Sequence, residues 1–488
     1  IPVNNDALGF FFYAADTSFL GNLPPNYSPA NNGWPAFLSI IFSFVQYEDT
    51  ISYMNLQRLV SITISSITII PLFYLCNRFF EKKYCIVAVS IFAFEPRLIQ
   101  NSLLGISDPL YIFLLTLSLA FFLSSSKKLI YFSFIICGLS TLVRSEGLFL
   151  FLTLSIIFFI RFRKDKLIIL KYIFIFSIFV LILFPMALYK IDATGTDNLI
   201  MRIITSTSNF STDSVENKTN SSLSIMTGIE NFPKYLGWDL IPIFIFFVPI
   251  GFFMIFKDRT YQSFLVISSL IIMSLPAFYA YSVPLLETRY FYFLYPLFCI
   301  VSLYPIKKII DKFNNKNIIL LLIIFILILS ITFLIFKMDV SHQHDAYFIA
   351  NYISKIATGV NEYSPESIYL ETTDIPSKWI DFKNYFIEER FFNTSIRSTI
   401  DHNTILFSTY DFNSLEDFIL THKENGLSHL VIDNNDNRSE FLYDIFIYEE
   451  KYPYLIKQFD SRDENITYNV KIFKIDYDKF ELSYQEIK

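Results

Sequence analysis

"NIILLLIIFILILSITFLIFK", residues 317–337, runs from Asn317 to Lys337 with no charge in between and only Ser330 and Thr332 as polar side chains. A helix rises about 1.5 Å per residue, so roughly 20 such residues reach across a hydrocarbon core about 30 Å thick. The stretch predicts a membrane-crossing helix. Working back toward the N-terminus, apolar runs of spanning or near-spanning length recur at 56–77, 84–96, 108–124, 129–143, 147–160, 167–189, 239–256, 261–282 and 290–306, about ten with the first. Composition agrees: of 488 residues 53% are hydrophobic and only 17% charged, against about 25% charged in soluble domains. Twelve Gly and 56 Phe suit long lipid-embedded helices. Residues 34–46 are apolar but too short to cross, and read as an interfacial helix.

Loop charges orient the bundle. Alternate loops hold fifteen basic residues, in the sets Arg78/Lys82/Lys83, Lys127/Lys128, Arg161/Arg163/Lys164/Lys166, Lys257/Arg259 and Lys307/Lys308/Lys312/Lys316. The short loops of the other face hold only Arg97, Arg144 and Arg289. By the positive-inside rule the first set is cytoplasmic. Residues 1–55, the loops near 97–107, 144–146, 190–238 and 283–289, and everything after 338 then face outward. A first crossing upstream of Ile1 is expected, because residues 1–55 precede a helix entering from outside and the chain opens without Met. The NFS (209–211), NKT (217–219), NSS (220–222) and NIT (465–467) sequons fall on predicted outer segments.

The division expected is 1–337, a transmembrane domain, and 338–488, an extracytoplasmic soluble domain. All five histidines lie in the second part. SIYLET (367–372), TILFST (404–409), LSHLVIDN (427–434) and VKIFKIDY (470–477) read as strands; LEDFILTHKENG (415–426) and EFLYDIFIYEEKYPYLIKQF (440–459) read as helices, the first with a Gly stop. Alternating strands and helices predict a small α/β domain. The fold class is therefore mainly α, a polytopic helical bundle with a C-terminal α/β domain.

The unusual polar residues collect on the outer face. Asp6 precedes Phe10–Tyr13 and Asp16 follows it. Glu95, Arg97 and Asp108 lie in FEPRLIQNSLLGISDPLYIF (94–113). Arg144 and Glu146 interrupt LVRSEGLFLF (142–151), and Glu287, Arg289 and Tyr290 lie in PLLETRYFYFLYP (284–296). Ionisable groups at membrane depth are costly and usually line a cavity or pathway. As local structure they read as ion pairs, Arg144–Glu146 and Glu287–Arg289; Ser107-Asp108-Pro109 and Asn4-Asn5-Asp6 also read as helix starts. Gathered on one side, they read as a shared outward cavity.

An acid in the first outer loop ahead of an aromatic run, then a Pro-containing interfacial helix, resembles the polyprenyl-phosphate-sugar transferases of the GT-C class, best known as bacterial aminoarabinose transferases and protein O-mannosyltransferases. NLQRLVSITISSITIIPLFYLCNRFFEKKYCIVAVSIFAFEP (55–96), ISDPLYIFL (106–114), TLVRSEGLFL (141–150) and ETRYFYFLYPL (287–297) also resemble segments of that class, over about residues 1–300. The resemblance implies an inverting transfer of sugar from a polyprenyl- or dolichyl-phosphate donor to a glycan, lipid or protein acceptor. It implies Asp6 as general base, Arg289 and then Arg97 and Arg144 as holders of the leaving phosphate, and Asp108 as a second acid that orients the sugar, orients the acceptor or binds a cation. Asp16, Glu146, Glu287 and Tyr290 complete the substrate side. The aromatics after Asp6 are expected to anchor its loop at head-group depth.

Metal ligation is open. No paired-His spacing occurs, HQH (342–344) reads as a linker, and an oxygen-only Mg or Mn site would draw on Asp6, Asp16 and Asp108. The Trp-rich motif of oligosaccharyltransferases is absent, since the tryptophans are Trp34, Trp238 and Trp379 alone. Cys76, Cys85, Cys137 and Cys299 read as buried apolar residues. No basic tract points to nucleic acid. A multi-span transporter, flippase or envelope polymerase is the alternative, although matching Gly/Pro-broken halves are missing.

Overall fold

A computed structural model describes residues 3, 5–21, 31–47, 50–194, 225–258, 260–283, 285, 287–313, 317–337, 348, 412–424, 426–434, 440–464 and 469–487. The chain divides into two compact units, one of Asn5–Gln46 and Ser52–Met338, the other of Ile1–Asn4, Tyr47–Ile51 and Asp339–Lys488. The sequons, HQH (342–344), SIYLET and TILFST lie outside the described residues.

The first unit is helical. Residues expected as one outer loop form α1 (Asn5–Leu20) and α2 (Gly33–Phe42). The aromatics after Asp6 are core rather than an interfacial anchor: Phe11, Phe12 and Tyr13 are buried, and Phe11 packs edge-on against Phe42 of α2 at 5.9 Å. With apolar side chains on most of its circumference, α1 gains more from burial among helices than from a place at the surface. The interfacial reading of 34–46 becomes α2, whose Trp34, Leu38 and Phe42 point inward.

There follow α3 (Thr50–Ile67), α4 (Ile69–Cys76), α5 (Lys82–Ala93), α6 (Pro96–Leu103), α7 (Asp108–Phe122), α8 (Lys127–Val143), α9 (Gly147–Arg161), α10 (Ile168–Thr194), α11 (Ile225–Leu240), α12 (Phe244–Lys257), α13 (Tyr261–Met273), α14 (Leu275–Ser282), a 3₁₀ helix Thr288–Leu294, α15 (Tyr295–Phe313) and α16 (Ile318–Lys337). Each of the ten predicted apolar runs falls on one helix or on two consecutive ones. Among the described residues five segments are long and apolar enough to cross a membrane: Ile51–Cys76, Ile168–Asp192, Tyr261–Ser282, Thr288–Phe313 and Ile318–Lys337. The pair α11–α12, bent by 111°, makes a sixth when taken together. The others run 12 to 17 residues, about 18–25 Å, so they are shorter than a full crossing.

Side chains close the helix ends. Arg161, one of the predicted cytoplasmic charges, donates to the carbonyls of Phe122 and Ser124 at the end of α7 and lies over the Tyr261 ring at 5.2 Å. A cation on terminal carbonyls satisfies acceptors that the helix leaves open. All four cysteines are free and buried.

In the second unit β1 (His429–Asp433), β2 (Leu455–Asp460) and β3 (Val470–Ile475) form an antiparallel sheet of order β1-β3-β2. His429 faces Lys474 and Leu455 faces Ile475. Around it lie α17 (Leu415–His422), α18 (Glu440–Ile447) and α19 (Tyr477–Ile487). Ser414 caps α17 by accepting from the Asp417 amide, and Gly426 follows with φ +88°. The predicted helix 440–459 is half right: it stops at Ile447 and 455–460 is a strand. Pro453, without an N–H, breaks the helical ladder, and Leu455 and Phe459 turn into the core. Beyond that strand Arg462 hydrogen-bonds Asp460 and holds its carboxyl down to about 2.

Candidate active site

Three arginines in the helical unit each stand between two carboxylates, and all three are the arginines singled out in the sequence.

The first group joins the chain's beginning to its far end. Asp6 lies in the first turn of α1, where an acid is favoured by the helix dipole, and its side chain is 54% exposed. Arg289, at the start of the 3₁₀ helix, reaches it with Nη1 at 2.7 Å from Oδ2, while Nε pairs with Glu287. Tyr281 fixes the segment by donating its hydroxyl to the Glu287 carbonyl at 2.8 Å, and stacks on Tyr235 at 4.8 Å.

The second group is more enclosed. Arg144 ends α8 with extended backbone, pairs through Nη1 with Asp108 and through Nη2 with Glu146 at 2.7 Å. Asp108 is the first residue of α7, followed by Pro109, so the predicted helix start stands, and the carboxylate still points to Arg144. Tyr111, one turn on, lies under the Arg144 guanidinium at 6.0 Å and meets Phe293 of the 3₁₀ helix edge-on at 5.7 Å. Tyr111 of the second group thus touches the same 3₁₀ helix that carries Arg289 and Tyr290 of the first, which brings the two groups to neighbouring elements.

The third group is buried. Arg97 lies 3.6 Å from Glu95 and 3.8 Å from Asp239, and both acids are fully inaccessible. Two of its N–H groups go to the Trp238 carbonyl at 2.6 Å and the Ile241 carbonyl, across the break between α11 and α12. Glu95 and Asp239 keep oxygens without hydrogen-bond partners.

Asp16 stands apart. It is buried and ten residues beyond Asp6 on one helix, a separation of about 15 Å along the axis. Asp6 and Asp16 therefore cannot share one cation. Among the described residues no three Asp, Glu, His or Cys side chains converge as a ligand set. The open site instead holds four carboxylates and two guanidiniums, a formal charge of −2 by count of Asp6, Glu287, Asp108 and Glu146 against Arg289 and Arg144.

Sequence reasoning missed Asp239, Gln57 and Tyr111. Asp239 heads an apolar run and Gln57 interrupts one, and a polar residue in such a run is itself the signal.

No protein-family model and no curated protein sequence matches the chain. Solved structures do. The oligosaccharyltransferase of Archaeoglobus fulgidus in the apo form aligns with a TM-score of 0.53 at 12% identity, over 88% of this chain and 66% of that one. The same enzyme with Zn and sulfate aligns at 0.51 and 14% identity, over 88% and 64%. ArnT from Cupriavidus metallidurans aligns at 0.45 and 10% identity, over 82% and 69%. The chain thus shares the fold of the archaeal oligosaccharyltransferase and spans just under two thirds of its length.

Proposed function

We propose, from that shared fold, that the chain is a membrane glycosyltransferase moving a sugar from a polyprenyl- or dolichyl-phosphate donor to a glycan, lipid or protein acceptor on the extracytoplasmic face. The observation that carries the reading is the Asp6–Arg289 pair: a half-exposed carboxylate and a guanidinium 2.7 Å apart, brought together from opposite ends of the helical unit. Transfer from a sugar phosphate needs both groups in one place. The carboxylate takes the proton of the acceptor hydroxyl as its oxygen bonds to the anomeric carbon. The bond from that carbon to the phosphate oxygen breaks, and its electron pair leaves with the polyprenyl phosphate. A guanidinium holds this dianionic group with paired N–H donors. One displacement inverts the anomeric carbon.

Arg144 is the second phosphate holder, at the enclosed side of the site, and Asp108 aligns the sugar through it. Glu146, Glu287 and Tyr290 supply acceptors and a hydroxyl for the sugar. Arg97 leaves the phosphate role, since it is buried beside Glu95 and Asp239 and gives two of its N–H groups to backbone carbonyls. Asp16, about 15 Å along α1 from Asp6, can meet only a part of the substrate remote from the reacting carbon.

Asp6→Asn is nearly isosteric and decides the matter. Turnover of a polyprenyl-phosphate sugar in detergent, scored as release of polyprenyl phosphate, should fall by roughly 10²–10⁴-fold with donor binding retained. A variant at the wild-type rate would remove Asp6 as the base.

A further inference from the structure

Gln57 is an amide buried in a helix whose neighbours are mostly apolar, and its two hydrogens are used in two directions. On α3 it is fully inaccessible, and its Nε2 donates to the Ala7 carbonyl at 2.9 Å and to the Gly105 carbonyl at 2.7 Å. Trp34, equally buried on α2, donates its indole N–H to the same Gly105 carbonyl at 3.1 Å. A carbonyl has two lone pairs, and these two donors fill them. Gly105 has φ +76°, and a Cβ there would stand 3.1 Å from Gln57 Cγ, so the turn fits only a glycine backed by this side chain.

The two carbonyls are not arbitrary. Ala7 adjoins Asp6, and Gly105 lies three residues before Asp108. Ala7 O also belongs to the first turn of α1, the turn most prone to fray. The Oε1 of Gln57 has no hydrogen-bond partner. An amide serving packing alone would gain nothing from an inaccessible, unbonded oxygen, and an apolar residue would suit that place better.

We propose that Gln57, with Trp34 and Gly105, is a backbone clip that sets the separation of Asp6 from the Asp108–Arg144 pair, making Gln57 a positioning residue for the reaction. The clip rests on the function proposed above. It acts on the main chain beside each acid and touches neither carboxylate. Loss of the clip should leave both acids and both arginines present but let the first turn of α1 move against the Gly105 turn. Misplacement of about 1 Å is enough to cost roughly 10²-fold in rate.

Gln57→Met keeps the volume and removes both donors together with the unbonded oxygen. The Ala7 carbonyl retains its helical bond and Gly105 retains Trp34, so thermal stability of the purified protein should be unchanged. Turnover should fall roughly 10- to 100-fold with the donor KM within about twofold. Amide exchange should speed about tenfold or more in peptides covering 7–13 and 104–110 and nowhere else. Normal turnover in the variant of an active enzyme, or unaltered exchange in those peptides, overturns the clip. If the wild type releases no polyprenyl phosphate from any donor, the proposed function falls, and the exchange comparison alone decides the clip. Should Gln57→Met not accumulate, Trp34→Phe removes the other Gly105 donor; faster exchange confined to 104–110 supports the clip, and unaltered exchange overturns it.

Discussion

Arg289 faces Asp6 and Glu287 at once, so on the proposed function a resting ion pair and a phosphate site would use the same side chain. Both acids are more than half exposed, so their pairing contributes little to stability and is readily exchanged. On the proposed function the donor's phosphodiester, singly charged like a carboxylate, would exchange with Asp6 on the guanidinium, and the second charge it gains as the bond to the sugar breaks would tighten that hold. Arg289→Lys keeps the charge and loses the two-pronged geometry, while Arg289→Ala loses both. Donor use should fall in both, by a further factor of about ten or more in the alanine variant, with unchanged melting behaviour. Equal, normal kcat/KM in the two variants would place the phosphate on Arg144 instead.

At the scale of elements, Arg97 is what holds the corner between α11 and α12. Two helices meeting at 111° leave carbonyls open at the corner, and Arg97 answers two of them while neutralising charge from Glu95 and Asp239. Phe333 of α16 lies over its guanidinium at 5.1 Å. Tyr295 adds a hydroxyl on the Asp239 carbonyl at 3.1 Å. Arg97→Met strands two inaccessible carboxylates, a loss of about 3–5 kcal/mol for a broken buried pair. Thermal unfolding in detergent should show it as a markedly lower midpoint, and adding Glu95→Gln with Asp239→Asn should recover part of the loss. A single Arg97→Met variant melting like the wild type would return Arg97 to the pool of phosphate ligands.

For the molecule as a whole, the proposal needs Asp6, Arg144 and Arg289 on the face opposite the fifteen loop lysines and arginines. A cysteine at Glu464 should react with an impermeant thiol reagent added outside intact cells, and one at Lys312 should not; the native cysteines, all buried, give a low background. Reaction at Lys312 and none at Glu464 would turn the site toward the cytoplasm and exclude a donor presented outside.

The helical character of the apolar runs, the start of α7 at Asp108 and the pairs Arg144–Glu146 and Glu287–Arg289 follow from local sequence, because hydrophobic length, turn chemistry and adjacent opposite charges act over a few residues. The free, buried state of the four cysteines follows in the same way. Which acid meets which arginine does not. Asp6 and Arg289 are 283 positions apart, Asp108 and Arg144 are 36, and Arg97 finds Asp239 at 142; these pairings exist only once the helices have packed. Packing likewise turned Phe11–Tyr13 from a lipid anchor into core, made a strand of 455–460, and gave Gln57 its two carbonyls. Short-range chemistry selects the elements, while long-range partners come from burial, which rewards whatever arrangement removes the most apolar surface and leaves the fewest charges unpaired.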